Sequence, residues 1–411
     1  MKSNYKRLGD YIERCDAFNV GMEVKELLGI SNQKFFQKAK TNTIGINLEK
    51  YRIVRTNQFA FNRATTRNGD KISIALRQGT DCIVSPSYRI FKSKDENILN
   101  SEYLMMWFRR PEFDRYARFK SHGSAHEFFD MKEMNEVELP IPSIEKQREI
   151  VKEYNTVVDR IILNEKLNQK LEETAQALYR HWFIDFEFPN EEGNPYKSSG
   201  GEMVYNEKLE IEIPSIWENG TISNLATLFS GYSFKGEDYS FEEGITVVRG
   251  ENVTEKKLRW DTHKMWNLDL NDRMKKCFLE NKDIVIGMYG SKVGKNWSLI
   301  SNYHLPMLLA QRVACVRVNN NSSLFIYMSM LVLNFESYVS QVQTGTSVPH
   351  ISGQQILDFP LIIPSNSIIE YFNTYMEPLF TKTAQNRQLN DELNIFRKLL
   401  LMKLTQIKVE R

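Results

Sequence analysis

The chain has 411 residues, which suits two or three domains, and its 41% hydrophobic and 26% charged content is typical of a globular protein. No apolar run reaches the roughly 18 residues of a membrane-spanning helix, and the first residues do not form a signal peptide, so we expect a cytoplasmic protein without a membrane partner. The four cysteines are far apart, which argues against a disulfide framework or a zinc site, and the net charge of +2 alone is uninformative about nucleic acid.

The charge is unevenly distributed along the chain. Between Arg52 and Lys92 there are eight Lys or Arg residues and only two acids, whereas the balance from Asp185 to Glu218 is acidic. A local basic excess in a nearly neutral chain fits a protein that contacts phosphate through selected surfaces. A solvated basic face explains the same pattern equally well.

Short strand-like runs are separated by Gly, Asn and Ser turns and alternate with helical runs, which predicts an α+β fold. The predicted strands include DCIVS at 81–85, YRIFK at 88–92, DIVIGMY at 283–289 and VACVRV at 313–318. The predicted buried helices are SEYLMMWFRRPEF at 101–113 and SLFIYMSMLVLNFESYVSQV at 323–342.

The chain contains an internal repeat. GSAHEFFDMKEMNEVELPIPS at 123–143 is similar to GTSVPHISGQQILDFPLIIPS at 345–365, at an offset of 222 residues without a gap. The same offset places Phe113 on Phe335 and extends from about residue 103 to residue 178. Upstream, VKELLGISN resembles ITVVRGEN more weakly. Agreement at so many positions in one frame indicates a duplication.

A long helix is predicted at the end of each copy. Ser143 is a suitable N-cap, and neither Gly nor Pro follows until Pro189, whereas Pro378 predicts that the second helix begins or kinks there. Heptad-like spacing predicts that the helices pair, with a pseudo-two-fold axis, although each could instead pack on its own domain. The predicted pairing residues are Asn164, Leu167, Leu171, Leu178, Asn386, Leu389, Leu393 and Leu400.

A segment rich in Gly, Ser, Pro and acidic residues separates the copies and predicts a linker with one hairpin. Its Asn194-Pro195-Tyr196 lacks the second proline of an adenine methyltransferase box. GMYGSKVGK at 287–295 has three residues between Gly290 and Gly294, where a phosphate loop needs four, so we interpret it as a glycine-rich hairpin. The sequence therefore predicts neither a catalytic centre nor a metal site.

The chain resembles the specificity subunits of type I restriction–modification systems. The resemblance rests on the junction VELPIPSIEKQREIVKEYNTVVDRI, its degenerate echo FPLIIPSNSIIEYFNTYMEPLFTK, the linker FPNEEGNPYKSSGGEMV, and GMYGSKVGK ahead of AQRVACVRV. With the duplication at this spacing, it covers nearly the whole chain. The second copy departs from the pattern, because Ser367 and Ile369 stand where the first has Glu145 and Gln147. This leaves open whether both copies hold a partner identically.

The resemblance implies two target-recognition domains, each reading one half of a split sequence in double-stranded DNA. It also implies that the conserved helices lie antiparallel and set the spacing of the domains. Two modification subunits would methylate adenine with S-adenosylmethionine, and restriction subunits would add a nuclease that uses ATP and Mg²⁺. No cofactor is expected in this chain. The expected segments are a first recognition domain at 1–143, its helix at 144–183, a linker at 184–214, a second recognition domain at 215–365 and its helix at 366–411.

Candidate DNA contacts follow from side-chain chemistry, because Arg can bind guanine bidentately, Asn can bind adenine and Lys mostly meets phosphate. The candidates in the first copy are Arg63, Arg67, Asn68, Lys71 and Arg77. Those in the second are Arg249, Asn252, Lys257, Arg259, Tyr289, Ser291, Lys292, Lys295, Asn296, Gln311 and Arg312. Gln147 and Arg148 are candidates for contact with a partner subunit. A stand-alone DNA-binding regulator, an enzyme with fused catalytic domains and a coiled-coil scaffold are alternatives that the sequence supports less well.

Overall fold

The computed structural model describes residues 5–39, 45–64, 71–121, 127–260, 263–318, 322–345 and 347–406. It divides into two compact units. Unit 1 comprises Met1–Leu163 with Asn390–Arg411, and unit 2 comprises Asn164–Leu389. The boundary between the units falls within each of the two long helices, and the expected consecutive segments stay a prediction.

Unit 1 combines small antiparallel sheets with helices. Its strands are β1 (Tyr5–Arg7), β2 (Ile12–Cys15), β3 (Leu28–Ile30), β4 (Phe36–Lys38), β5 (Arg52–Val54), β6 (Phe59–Asn62), β7 (Ile74–Leu76), β8 (Cys82–Val84), β9 (Tyr88–Ser93) and β10 (Glu138–Pro140). Its helices are α1 (Ser101–Phe108), α2 (Pro111–Lys120), α3 (Met131–Asn135) and the first half of α4 (Ile144–Phe183). The largest sheet has the strand order β2-β9-β6-β7. The predicted helix at 101–113 is thus two helices, because Pro111 starts α2 at a position that tolerates proline.

The core of unit 1 is aromatic. Phe59 and Phe91 stack from neighbouring strands with ring centres 4.8 Å apart, and Phe108 meets Phe59 edge-on at 5.6 Å. Both rings of the stacked pair are fully buried, so the sheet and α1 share one hydrophobic core. Leu400 and Leu401 from the last helix pack on this same core, together with Ile161.

Unit 2 repeats this architecture with additional strands. Its strands are β11 (Met203–Asn206), β12 (Ile211–Pro214), β13 (Glu218–Thr221), β14 (Ala226–Ser230), β15 (Ile245–Val248), β16 (Val253–Thr254), β17 (Lys257–Leu258), β18 (Met265–Trp266), β19 (Ile284–Gly287), β20 (Trp297–Leu299), β21 (Met307–Leu309), β22 (Val313–Val318) and β23 (Pro360–Ile363). Its helices are α5 (Asp272–Lys275), α6 (Ser323–Val332), α7 (Phe335–Val342), α8 (Gly353–Leu357), the second half of α4 and most of α9 (Asn366–Lys403). The largest sheet has the order β14-β22-β19-β20, and β11 and β12 form the hairpin predicted in the linker.

The duplication is confirmed by the element positions. α1 and α6 begin at residues 101 and 323, α3 and α8 at 131 and 353, β10 and β23 at 138 and 360, and α4 and α9 at 144 and 366, so each pair is 222 apart. Upstream, Leu27 forms a parallel bridge to Ile83, as β15 pairs in parallel with β21. The predicted buried helix at 323–342 is interrupted where Asn334 adopts a left-handed conformation with φ of 60°.

The starts of the long helices agree in part with the sequence expectation. Ser143 precedes α4, and its Oγ accepts a hydrogen bond from the Lys146 backbone N–H at 3.4 Å, so the predicted cap is present. The second helix neither begins at Pro378 nor stops there, because α9 starts at Asn366 and continues to Lys403. Burial of Phe372 and Met376 in the core of unit 2 stabilises the turns before the proline.

The two helices pair in antiparallel orientation within unit 2. The Asn386 amide donates to Asn168 Oδ1 at 2.9 Å, and the Trp182 ring lies 5.6 Å from the Phe372 ring. Residue numbers therefore rise along α4 while they fall along α9. The predicted seam is only half right. Asn164 and Asn386 are buried and Leu171 and Leu178 are partly buried, and within unit 1 Leu393 and Leu400 pack on the core.

The predicted helix register is wrong at Leu167, because 39% of this residue is exposed. The adjacent Asn168 takes its place in the seam, and in the next turn Ala175 is buried while Thr174 is exposed. Seam residues of paired helices recur about every 3.5 residues, so the next seam residue lies three or four positions further along the helix. Leu167 is more apolar than Asn168, and the sequence therefore favoured the wrong one of these two positions. Leu389 is partly buried, and its neighbour Asn390 is more deeply buried. Among the described residues, none of the helices is long and apolar enough to cross a membrane.

Candidate nucleic-acid interface

A glycine hairpin between β19 and β20 presents the first group of candidates in unit 2. Gly290 and Gly294 have φ of 104° and 83°, which L-residues rarely adopt, and a Cβ on Gly294 would lie 2.8 Å from the Val339 side chain. Both glycines are therefore needed for the turn. It leaves Tyr289 half-exposed, and Ser291 is exposed as well.

The two lysines of this hairpin are exposed and paired with acids. Lys292 Nζ lies 3.1 Å from Glu255, and Lys295 Nζ lies 2.9 Å from Glu336. The hydrogen bond to Glu336 raises the pKa of Lys295, and the hydrogen bond from Lys292 lowers the pKa of Glu255. Such exposed pairs are weak, so a phosphate can displace the acid. Asn296 completes the hairpin and is partly buried.

The loop from Arg249 to Arg259 is shaped by a buried amide. Asn252 is 1% exposed, its Oδ1 accepts the Arg249 backbone N–H at 3.0 Å, and its Nδ2 donates to the Arg259 carbonyl at 3.0 Å. Asn252 thus organises the loop within the chain, and contact with adenine stays a prediction. Arg249 forms an ion pair with Glu251, whereas Lys257 and Arg259 are exposed.

An aromatic and cationic cluster surrounds Tyr289. Its ring stacks on His350 with centres 5.5 Å apart and an interplanar angle of 13°, and the Arg312 guanidinium lies 5.5 Å from the ring centre. Arg312 and the adjacent Gln311 are exposed. Sequence reasoning missed His350, which belongs to the repeated GTSVPHIS stretch, and its hydrogen-bond partner Thr344, which comes directly before that stretch.

In unit 1, Arg63 lies over the Phe128 ring at 4.7 Å and 3.7 Å from Asp130. Arg89, which sequence reasoning also missed, donates two hydrogen bonds to Asp130 at 2.8 and 3.1 Å. Burial favours the neutral form of Asp130, but the hydrogen bonds from Arg89 and the Met131 N–H outweigh it and lower the pKa of the carboxyl group. This carboxylate therefore stays charged and fixes both arginines.

The other candidates in unit 1 differ in accessibility. Arg77 is engaged inside the chain, because it pairs with Glu26 at 2.6 Å and donates to the Thr80 carbonyl at 2.6 Å, so its role in DNA binding stays a prediction. Lys71 is exposed. Arg67 and Asn68 lie outside the described residues.

The structure gives Gln147 an internal role. It is fully buried, its Oε1 accepts the Asn100 N–H at 2.9 Å, and its Nε2 donates to the carbonyls of Ile98 and Pro142, each at 2.8 Å. In the second copy Ile369 stands at this position and is also buried. The second copy therefore has a buried apolar side chain where the first has a buried, hydrogen-bonded glutamine. A burial of this kind leaves Gln147 no surface for the predicted partner contact, whereas Arg148 is exposed.

The described residues contain no group of three or more His, Cys, Asp or Glu that could hold a metal ion. Two of the candidate arginines instead lie beside accessible aromatic rings, Arg63 beside the partly exposed Phe128 and Arg312 beside the exposed Tyr289. Guanidinium and ammonium groups bind phosphates and base edges, and exposed rings stack on bases. Such an arrangement of side chains suits contact with nucleic acid.

The chain matches the family described as "Type I restriction modification DNA specificity domain" at residues 22–173 and 214–394, one match on each copy of the repeat. The chain belongs to this family, whose members are non-catalytic subunits that recognise DNA sequence. It is 29% identical over 313 residues to the type I restriction enzyme MjaIX specificity subunit of Methanocaldococcus jannaschii, which covers 75% of this chain and 70% of the relative.

A second relative is the type I restriction enzyme HindI specificity subunit of Haemophilus influenzae, which is 22% identical over 381 residues, 78% of this chain and 80% of the relative. The fold is similar to the crystal structure of a type I restriction–modification S subunit from M. genitalium, with a TM-score of 0.58 and 14% identity over 98% of this chain and 96% of that one. The expected α+β architecture with two tandem recognition domains is thus confirmed.

Proposed function

We propose that the chain reads a bipartite target in double-stranded DNA, one half-site with the recognition domain of each unit. The observation that carries this proposal is the duplication, because two copies of one α+β architecture present different polar groups on equivalent loops. Two non-identical readers joined in one chain suit two different half-sites separated by unread bases. Exposed cations such as Lys71 and Lys257 would add contacts to phosphate.

The chain would act by recruitment. Two modification subunits, one for each copy, would methylate adenine with S-adenosylmethionine, and restriction subunits would supply cleavage driven by ATP with Mg²⁺. None of these cofactors is assigned to residues of this chain. Such a complex would work on DNA in the cytoplasm. Arg148, at the exposed start of α4, is a candidate for contact with a modification subunit.

Selection from a randomised duplex library tests the proposal. The full chain, assembled with its modification subunit, should enrich two short conserved blocks separated by a fixed number of unread base pairs. Enrichment of one contiguous block would contradict the bipartite target. Equal enrichment and affinity without the modification subunit would favour a stand-alone regulator.

A further inference from the structure

A backbone bridge occupies the same place in both units. Each lies directly after the inner strand β6 or β19 of the four-stranded sheet, where Ala64 pairs with Phe128 in unit 1 and Tyr289 pairs with His350 in unit 2. Phe128 and His350 also stand at the same distance, two residues, before the N-cap of the short helix α3 or α8. The two bridges are therefore equivalent positions of the duplicated fold.

The side chains at these equivalent positions differ. In unit 1 the guanidinium of Arg63 lies over the Phe128 ring, and 38% of the Arg63 side chain is exposed. In unit 2 the His350 ring supports Tyr289, which is 50% exposed and has Arg312 at its side. An aromatic ring from the bridge thus supports an exposed polar group in each unit, while the identity of that polar group changes.

Backbone hydrogen bonds connect the segments that form the cluster in unit 2. The Gly290 N–H donates to the Pro349 carbonyl at 2.9 Å, and the Met288 N–H donates to the Arg312 carbonyl at 3.1 Å. The Ile351 N–H donates to the Met288 carbonyl at 3.0 Å, so three separate chain segments are joined. Arg312 has φ of 67°, a left-handed conformation that is uncommon for a residue with a Cβ.

Both ring nitrogens of His350 contact groups of the same chain. Its Nδ1 lies 3.4 Å from the Val348 carbonyl, and its Nε2 lies 2.9 Å from the Thr344 hydroxyl. Because a carbonyl only accepts, the contact with Val348 requires Nδ1 to donate, and the Thr344 hydroxyl can pair with Nε2 as donor or acceptor. The ring is therefore fixed in orientation, and it acts as a support for Tyr289 rather than as a hydrogen-bonding reader.

We propose that Arg63 in unit 1 and Tyr289 with Arg312 in unit 2 read base edges, and that Phe128 and His350 position them. The inference rests on the proposed function and narrows it to these residues. Contacts to phosphate can be the same in both copies, whereas groups that read different half-sites must differ between them. Arginine on an aromatic support matches guanine, which it binds through two parallel hydrogen bonds.

Arginine substitutions test the reading role. The chromosomal gene is replaced by one that encodes Arg312→Ala or Arg312→Lys. Methylation rates of the full complex are then compared on the target and on duplexes with one changed base pair. Both variants should lose discrimination by roughly 5- to 150-fold at one base pair of one half-site, because lysine cannot form the bidentate pair. The matched control is Arg273→Ala, an exposed arginine on α5 in the same unit. It should leave every ratio within about twofold, the scatter expected of unrelated surface changes.

A variant of the proposed reader in unit 1 should act on the other half-site. Arg63→Ala should lower discrimination at a base pair on the opposite side of the unread spacer from the one that Arg312→Ala affects. The inference is overturned if both variants affect the same half-site. It is also overturned if Arg312→Lys keeps full discrimination, because a phosphate contact would tolerate lysine.

Substitution of His350 tests the positioning role. His350→Ala should lower discrimination at the base pair that Arg312→Ala affects, and His350→Phe should retain it because phenylalanine preserves the stacked ring. A purely structural loss would lower the rates on matched and mismatched duplexes together and leave their ratio unchanged, which would contradict the assignment. If the wild-type complex methylates no split target, the proposed function itself fails. If it does, and the Arg312 and His350 variants keep their ratios, only this inference fails.

Discussion

Replacement of Gln147 should destabilise unit 1 because this fully buried side chain hydrogen-bonds three backbone groups, one of them buried and two partly buried. Gln147→Ala would leave the Asn100 N–H and the carbonyls of Ile98 and Pro142 without their partner and would open a small cavity. An unsatisfied buried polar group costs about 1–3 kcal/mol, and the losses are not fully additive, so we expect a total of about 3–5 kcal/mol. For a unit of this size that corresponds to a fall in Tm of roughly 6–20 °C.

Hydrogen–deuterium exchange is the suitable assay, because a chain of two units need not unfold in one step. Peptides from residues 96–108 and 139–150 should lose protection in Gln147→Ala. Arg148→Ala is the matched control on the adjacent exposed position, where only a 3.3 Å hydrogen bond to Asn97 is lost, and it should cost less than about 0.5 kcal/mol. Equal protection in the two variants would refute the internal role of Gln147.

Three further predictions follow from the exposed cation, the buried histidine and the helix register. Lys71→Ala should weaken binding across all DNA sequences and lower the salt slope by about one unit in binding titrations, and an unchanged slope would remove Lys71 from the phosphate contacts. Burial, aided by the nearby positive charge of Arg387, lowers the pKa of His304 to about 4. Because the unfolded chain binds the proton first, unit 2 should lose about 2–3 kcal/mol between pH 6.5 and 4 in acid unfolding, and His304→Gln should abolish this loss. Ala175→Leu should cost about 1–3 kcal/mol of unit 2 stability by overpacking the seam, whereas Thr174→Leu on the exposed face should cost little, and equal thermal shifts would contradict the register.

Local rules and the repeat predicted much of the fold. The cap at Ser143 was readable from residue type alone, and the offset of 222 located the elements of the second copy from those of the first. At Pro378 the local rules mislead about the start of the helix, because α9 already begins at Asn366 and continues through the proline, whereas the kink stays a prediction. Burial of the preceding turns is a tertiary effect that a proline rule does not include.

The candidate site was less predictable because its contacts join distant parts of the chain. Arg77 has the residue type of a guanine reader, but its ion pair with Glu26 spans 51 residues. Gln147 was part of a recognisable motif, yet only the positions of Ile98 and Asn100 reveal why a glutamine is needed there. His350 was missed because it supports Tyr289, which is 61 positions earlier in the chain, and such a distant contact leaves no pattern in the sequence.

The proposed function of this chain is to direct methylation to one split DNA sequence. It is tested most directly by mapping adenine methylation across the host genome with the gene intact and with the gene deleted. We predict that deletion abolishes methylation of one motif, made of two short blocks separated by a fixed spacer, and that restoring the gene returns it. Unchanged methylation of every split motif, in a host where the modification subunit is expressed, would contradict the account.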